Sequence, residues 1–488
     1  MKSSLKYLLF IFLISFILYF PSLFGFYTND DFFLLKISQA NSLGEFTNFF
    51  NLTAGPDGLG MYRPLTTQAF YFLSWRLFSL NPIGLHIISF LVFFGVIYLV
   101  FKLVLELSKN EKMSLLAAFL YATSATHFGH LYYLATFQEL GFAFFFLISV
   151  LLFIQFLNTK KLSLYILSLT TFVLSLLSKE TAVVLPACLL LVYMFIKQNK
   201  KENLLPINRL IVSILPYFLI LAFYFYFRFV YYGFATGDSY IWDFSLRRTI
   251  NTLGWYALWS FNLPEMLVDF VGPGLKFNPN LFKFWSREII PIFILFGTLL
   301  SGITYVLTKN YKKLMSRKSL ILILFCISWF VIAISPVLFL PLHKFTFYLT
   351  VPLVGISTAV SYLLVSNNKR PVTVLFLAIW VSLSILTLTL TSKTNWITKG
   401  QETAKRVHNY LIENESVLEK YKTIVFYDTE EDKDLPWRPS EVLRVVLSEQ
   451  NYFKIFWNDK FTVKYYTSEN ETKEVGVVKI RARKFLGY

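Results

Sequence analysis

The sequence predicts an all-α polytopic membrane bundle of about 11 transmembrane helices, followed by a small soluble α/β domain. Of its 488 residues, 56% are hydrophobic and only 15% are charged. A soluble protein carries about 25% charged residues, so this composition is typical of a membrane protein. The formal net charge of +17 does not indicate nucleic-acid binding, because most of the lysines fall in short loops between apolar runs.

Apolar runs of spanning length define the predicted helices in order along the chain. They lie near residues 5–24, 83–105, 113–129, 133–157, 162–178, 181–196, 209–232, 288–307, 319–340, 345–365 and 371–391. The polar breaks around His127–His130 and Lys179–Glu180 are short, so the runs on either side of each could form one long bent helix.

The basic residues set the predicted topology. They cluster in alternate loops, for example Lys109 and Lys112, Lys160 and Lys161, and Lys369 with Arg370. By the positive-inside rule these loops and the N-terminus are cytoplasmic, as in a multi-pass plasma-membrane protein. Because no small-residue cleavage site follows the first run, we interpret it as an uncleaved helix.

Two domains follow from this topology. Residues 1–391 form the transmembrane domain, with outer loops 25–82 and 233–287, and residues 392–488 form the extracytoplasmic α/β domain. Helical spacing of apolar residues predicts helices lying on the membrane surface at 42–50, 65–80 and 245–261. In the tail we expect helices at 397–418 and 439–450, and strands at 422–428, 453–457, 461–466 and 475–481.

An acidic pair, Asp30 and Asp31, directly follows the first apolar run. The pair could be a solvated turn, since Asn-Asp sequences are common in turns. It could also supply a general base or a metal ligand at a water-accessible membrane boundary. Four neighbouring aromatic residues would desolvate the pair and raise a pKa: Phe26, Tyr27, Phe32 and Phe33.

Several cations are predicted on the same membrane face. Arg63 is either an interfacial anchor or a phosphate clamp, for which a planar, permanently charged guanidinium is suited. Lys179 and Glu180 form either an ion pair that holds the bundle together or a place where Lys179 meets a lipid-linked phosphate. His343 and Lys344 either anchor the chain at the interface or bind phosphate.

Other polar residues lie near the outer ends of the third and fourth runs. His127 and His130 would share a helix face, as an interfacial polar pair or as part of a metal site that lacks an obvious third ligand. Glu139 lies in an apolar run, so we expect it to face a cavity or a charged partner.

Two carboxylates and several cations on one face suit the transfer of a group from a lipid-anchored phosphate to a hydroxyl. A carboxylate would take the proton of the acceptor while cations stabilise the departing phosphate. A transporter or flippase of lipid-linked saccharides is the first alternative, although such proteins use midplane charges and repeated halves. A non-catalytic envelope assembly protein, with the tail as its binding domain, is the second.

At these residues the chain resembles the GT-C superfamily of polytopic glycosyltransferases, and within it the protein O-mannosyltransferase branch. The resemblance covers roughly residues 1–365 and is carried by short motifs in the family order. Besides Asp30–Asp31, these are Tyr62-Arg63-Pro64-Leu65, Asn81-Pro82, His86, His127, Glu139, Lys179–Glu180, and a late segment with Lys344, Tyr348 and Pro352.

The resemblance implies an inverting transfer of a sugar, with mannose as one candidate, from a polyprenyl-phosphate donor to an acceptor on a protein, lipid or glycan. It implies Asp30 as the base, with Asp31 as its partner or as the ligand of a divalent cation such as Mg or Mn. Arg63, Lys179, His343 and Lys344 would then hold the donor phosphate. The supporting residues would be His127, His130, Glu139, Glu180 and Tyr348.

Overall fold

Helices dominate the computed structural model of the chain. The structure describes residues 2–53, 60–199, 205–233, 237, 239–367, 369–468 and 476–487. Parts of both predicted outer loops, 54–59 in the first and 234–236 with 238 in the second, lie outside the described residues. So do residues 469–475 and 488 of the predicted tail domain.

Eighteen α-helices precede residue 395 within these ranges, and a short antiparallel hairpin of β1 (Val271–Gly272) and β2 (Lys276–Phe277) interrupts them. The helices are α1 (Lys2–Tyr19), α2 (Asp30–Ile37), α3 (Leu43–Asn48), α4 (Phe70–Arg76), α5 (Pro82–Ser108), α6 (Glu111–Ala122), α7 (Phe128–Tyr132), α8 (Phe137–Thr159), α9 (Leu162–Ser178), α10 (Leu185–Asn199), α11 (Ile207–Phe227), α12 (Leu246–Trp259), α13 (Leu267–Phe270), α14 (Asn280–Lys309), α15 (Tyr311–Leu314), α16 (Arg317–Ile334), α17 (Leu353–Asn367) and α18 (Arg370–Thr394).

Among the described residues, 8 helical segments are long and apolar enough to cross a membrane. The predicted polytopic helical membrane protein is therefore confirmed. Helices lie at all the predicted positions, but α9 and α17 are shorter apolar helices and α6 has only 12 residues. The third run, expected to continue to residue 129, ends its helix at Ala122. The number of 11 spans stays a prediction.

Helix ends bring the candidate residues to one end of the bundle. For example, α5 begins where Asn81 accepts a hydrogen bond from the Ile83 N–H at 3.0 Å and Pro82 takes the first helical position. It ends at Lys109, which has a φ of 53°. The first segment of spanning length ends at Phe24, close to the start of α5. We call this the Asp30 end of the bundle.

The tail contains helices packed on a small parallel sheet. Its helices are α19 (Trp396–Glu413), α20 (Glu415–Leu418), α21 (Pro439–Val446) and α22 (Asn451–Trp457), and its strands are β3 (Thr423–Tyr427), β4 (Thr462–Tyr466) and β5 (Val477–Arg481). The central strand β3 pairs in parallel with both neighbours, so that Ile424 lies opposite Val463 and Val478. The strand expected at 453–457 was wrong, because this segment belongs to α22.

The tail packs directly on the turn that holds the acidic pair. The Asn29 N–H donates to the Val446 carbonyl at 2.8 Å, and the ring of Phe32 lies 5.3 Å from that of Tyr452. A Cβ placed on Gly400 would lie only 2.6 Å from Thr28 Oγ1, so α19 needs a glycine there. The tail and the bundle thus share one core.

Candidate active site at the Asp30 end of the bundle

The acidic pair occupies the first turn of α2. Asn29, which precedes the helix, has a φ of 51° and a ψ of −118°, a backbone conformation that L-residues rarely adopt. This turn places Asp30 and Asp31 beside the free N–H groups of the helix start, where negative charge is favourable. Although adjacent in sequence, the two side chains lie in different environments.

Asp31 is completely buried and fully hydrogen-bonded. Its Oδ1 accepts from the Tyr71 hydroxyl at 2.5 Å, and its Oδ2 accepts from the Thr28 N–H at 2.9 Å. Burial raises the pKa of Asp31 to about 7, and these two hydrogen bonds oppose the shift. Asp31 therefore serves in this structure as the internal support of the turn.

Asp30 retains a solvent-exposed surface. Protein nevertheless crowds its carboxyl, and this desolvation raises the pKa of Asp30 above its usual range, while a hydrogen bond with the Tyr133 side chain lowers it. The Tyr133 hydroxyl also accepts from the Asp30 backbone N–H at 3.1 Å. A carboxylate that is reachable and more basic than usual is suited to accept a proton.

The residues around the acidic pair do not fit a metal site. Both oxygens of Asp31, the predicted ligand, are already engaged by Tyr71 and Thr28. Across the described ranges, no three His, Cys, Asp or Glu side chains lie close enough together to hold a metal ion. A divalent cation remains a prediction from the family resemblance.

Four charged residues from distant parts of the chain form two ion pairs, which we call the charge cluster. Arg63 bonds to both carboxylate oxygens of Glu180, with the Nε–Oε2 distance at 2.6 Å, and to the amide oxygen of Gln138. Lys179 pairs with Glu139, and both side chains are almost completely buried. Since two cations meet two carboxylates, the charge cluster is electrically neutral.

The charge cluster agrees with the ion-pair alternative of the sequence analysis, and the contact of Lys179 with a lipid-linked phosphate stays a prediction. Lys179 and Glu180 each bond to another segment rather than to each other. Lys179 Nζ also lies 4.5 Å from the ring centre of Tyr348, a favourable cation–π contact. Of the two pairs, Arg63–Glu180 is the more open, since 34% of the Glu180 side chain is exposed.

His343 and Lys344 face different surroundings. The ring of His343 lies 4.2 Å from that of Tyr240, and burial, together with the positive charges of Lys179 and Arg63, lowers the pKa of His343 to about 4. The lowered pKa favours the neutral form of His343 at pH 7, and its role in binding the donor phosphate stays a prediction. Arg63, Glu180 and Asp30 all act electrostatically on the Tyr240 hydroxyl, whose pKa is raised chiefly by burial.

Lys344 lines a separate polar cleft of about 520 Å³, together with Glu265, Asp269 and Trp396. Glu265 accepts hydrogen bonds from the Thr346 N–H at 2.6 Å and from its hydroxyl at 2.7 Å. The ring of Trp396 lies 5.1 Å from that of Tyr133. Because Tyr133 also touches Asp30, this cleft opens close to the acidic pair.

His127 and His130 form a buried hydrogen-bonded pair. His127 Nδ1 lies 2.8 Å from His130 Nε2, and His127 Nε2 lies 2.7 Å from the Tyr121 carbonyl oxygen. The carbonyl oxygen can only accept a hydrogen bond, so His127 Nε2 carries the proton of that ring. His127 Nδ1 therefore accepts a hydrogen bond from His130 Nε2–H. This arrangement agrees with the polar-pair alternative of the sequence analysis. The two ring nitrogens that face each other are both engaged in this hydrogen bond.

Sequence reasoning missed the tyrosines that complete the site. Tyr71 and Tyr133 bond to the acidic pair, and Tyr240 contacts His343. Each lies in an aromatic-rich segment where nothing local separates a hydrogen-bonding tyrosine from a packing one. The position of Tyr133 at the outer start of a predicted span was the one usable signal.

The comparisons with known proteins give a fold similarity alone. No protein-family model and no curated protein matches the chain. Among solved structures, an oligosaccharyltransferase of Archaeoglobus fulgidus in complex with Zn and sulfate matches with a TM-score of 0.42 and 13% identity, over 91% of this chain and 61% of that one. A structure of the same oligosaccharyltransferase tethered to an acceptor peptide gives 0.44 and 13%, over 92% and 63%.

This chain therefore spans less than two thirds of the length of the archaeal oligosaccharyltransferase. A similarity of this size carries no argument about family or function. It does not separate the protein O-mannosyltransferase branch from others, so that assignment stays a prediction. The functional proposal rests on the residues of this chain.

Proposed function

We propose that the chain is a membrane glycosyltransferase in which Asp30 is the general base. The observation that carries this proposal is Asp30, a residue with solvent-exposed surface whose carboxyl pKa is raised by the surrounding protein, beside the buried Asp31. A base is most effective when its pKa approaches the working pH. The adjacent charge cluster and polar cleft supply places for the two substrates.

In the proposed reaction, Asp30 removes the proton from an acceptor hydroxyl while the oxygen of that hydroxyl attacks the anomeric carbon of the sugar. The bond from that carbon to the donor phosphate breaks, and polyprenyl phosphate leaves with the electron pair, so the configuration is inverted. Arg63 would stabilise the phosphate, whereas Lys344 lines the cleft that we assign to the acceptor. Arg63 already holds the partly exposed carboxylate of Glu180, which an incoming phosphate would have to displace.

The acceptor would reach Asp30 through the polar cleft beside Trp396. Its carboxylates, Glu265 and Asp269, can accept hydrogen bonds from hydroxyl groups, and the indole of Trp396 offers a flat apolar surface. This chemistry suits a hydroxyl-bearing protein, lipid or glycan. We place the reaction on the extracytoplasmic face of the plasma membrane, following the distribution of lysines.

The test is complementation of a deletion strain with Asp30→Asn. Mass spectrometry of glycoproteins, glycolipids and envelope glycans should show a glycan that is lost on deletion, restored by the wild-type chain and not restored by the variant. Asp434→Asn, which changes an exposed carboxylate in the tail, should restore it fully. Restoration by Asp30→Asn to wild-type levels would contradict the proposal.

The same strains separate the alternatives. A flippase would move a lipid-linked saccharide across liposomes without an acceptor, and Asp30→Asn would leave that movement intact. An assembly protein would need residues 392–488 but not the carboxylate of Asp30. Since α21 and α22 contact the turn at Asn29, removal of the tail alone cannot distinguish these cases, whereas Asp30→Asn can.

A further inference from the structure

A second cavity lies between the ends of two membrane segments and the tail. Its volume is about 680 Å³, within the range of ligand pockets. Phe24 and Lys393, which line it, stand at the ends of the segments Ser4–Phe24 and Arg370–Thr394. The cavity is therefore level with the lipid headgroups. We call it the basic groove.

The groove carries an excess of positive charge. Lys393, Lys399, Lys405 and Arg406 line it, against a single carboxylate, that of Glu402. Arg406 pairs with Glu402 at 3.2 Å, and Lys393 pairs outside the groove with Glu288 at 3.3 Å. Within the part of the chain that the structure describes, no carboxylate pairs with Lys399 or Lys405. Both are exposed.

The rim of the groove on the membrane side is apolar. Phe24 is 57% exposed and Phe20, one turn earlier, is 44% exposed, so both side chains face lipid. On the other side the groove is closed by Leu486 and Gly487 of the tail. A ligand that fits must combine negative charge with an apolar part directed along the first membrane segment.

We propose that the basic groove binds the phosphate of an anionic phospholipid headgroup, with Lys399 and Lys405 as its main contacts. Lysines near a membrane surface attract anionic lipid, and the phosphate accepts their hydrogen bonds. The bound lipid bridges the first segment, the last segment and α19, and thereby holds the tail against the bundle. This site is independent of the proposed transferase reaction.

The test uses the purified full-length chain in nanodiscs of phosphatidylcholine mixed equally with phosphatidylglycerol. Native mass spectrometry after release counts the retained phosphatidylglycerol. The double variant Lys399→Gln/Lys405→Gln should retain it at least about tenfold more weakly than wild type. Lys420→Gln/Lys422→Gln, which removes the same charge from exposed tail positions, should behave as wild type.

Three results would overturn the proposal: equal retention by the Lys399/Lys405 variant and wild type, an equal loss in both double variants, or displacement of the lipid by inorganic phosphate at matched concentration. The last would identify a free-anion site. Thermal unfolding in pure phosphatidylcholine should be the same for all three proteins, which shows that the variants fold. Added phosphatidylglycerol should then raise the unfolding temperature of wild type and of Lys420→Gln/Lys422→Gln only.

Discussion

The acidic pair and the charge cluster both bury carboxylates, but they do so by opposite means. Around Asp30 and Asp31 the hydrogen-bond donors are neutral: the hydroxyls of Tyr71 and Tyr133 and a backbone N–H. In the charge cluster, Arg63 and Lys179 match each carboxylate with a cation. Neutral donors leave the free energy of desolvation largely uncompensated, so protonation becomes easier, whereas the cations of the charge cluster offset part of that free energy by direct attraction.

This difference assigns the two regions different tasks. A carboxyl with a raised pKa and access to solvent can take up a proton, as a base must. A neutral set of buried ion pairs fixes segments that are more than one hundred residues apart along the chain, since Arg63 and Glu180 are separated by 117 positions. We therefore regard the first region as reactive and the second as chiefly structural, with only the exposed side of Arg63–Glu180 facing substrate.

Breaking the buried pair of the charge cluster should have the largest effect on stability. Lys179→Met leaves Glu139 buried without its cation and should cost about 3–5 kcal/mol of unfolding free energy. The double variant Lys179→Met/Glu139→Gln should recover most of that loss. Thermal or denaturant unfolding in detergent measures both.

Lys460→Met provides the control for that comparison. It removes exposed ion pairs with Glu415 and Glu419 and should leave the free energy of unfolding almost unchanged. If the Lys179/Glu139 double variant were as unstable as Lys179→Met alone, the lysine would be acting through packing and not through its charge.

Removal of the Asp31 carboxyl should have a smaller effect. Asp31→Ala leaves the Tyr71 hydroxyl and the Thr28 N–H without their acceptor, which costs about 1–3 kcal/mol. Asp31→Asn retains an acceptor oxygen and should cost less. Unfolding measurements on the two variants at one pH make the comparison, and equal losses would show that hydrogen bonding is not what Asp31 contributes.

The acidic pair should also make stability depend on pH. The folded pKa of Asp31 is raised to about 7, against about 3.9 for an unfolded Asp. Between these values the folded state binds more protons, so stability should fall as pH rises through this window. The unfolding temperature of Asp31→Asn should lack this component, whereas a slope identical to that of wild type would contradict the shift.

The smallest effect is expected from Tyr133→Phe. Because the Tyr133 hydroxyl lowers the pKa of Asp30, its loss should raise that pKa further. The acidic limb of the activity profile should then move to higher pH, with little change at alkaline pH. A limb that stays in place would mean that Asp30 is not the group being titrated.

The long membrane helices were predictable from sequence, whereas contacts between residues far apart in the chain were not. Hydropathy located the membrane helices because a spanning helix needs a long apolar run whatever its neighbours are. It failed for α22, where the aromatic residues at 452, 453 and 456 fit a helix that packs on Phe32, although the short apolar run also suited a strand.

The acidic pair of the candidate site was predictable from sequence, but which of its two carboxylates is buried was not. Two carboxylates at a membrane boundary are visible in the sequence, but which of them is buried depends on Tyr71 and Tyr133, 40 and 103 positions away. The same reason applies to His343, whose pKa is lowered because Tyr240 and the rest of the site bury it.

The most direct measurement of the central claim compares the turnover of Asp30→Asn with that of Asp31→Asn. The purified proteins would be assayed in nanodiscs with a mannosyl-phosphopolyprenol donor, following the release of polyprenyl phosphate in the presence of the acceptor found by mass spectrometry. Asp30→Asn should lose about 10²–10⁴-fold in kcat, as expected for a lost general base, and Asp31→Asn much less. Equal losses, or a fully active Asp30→Asn, would contradict the account.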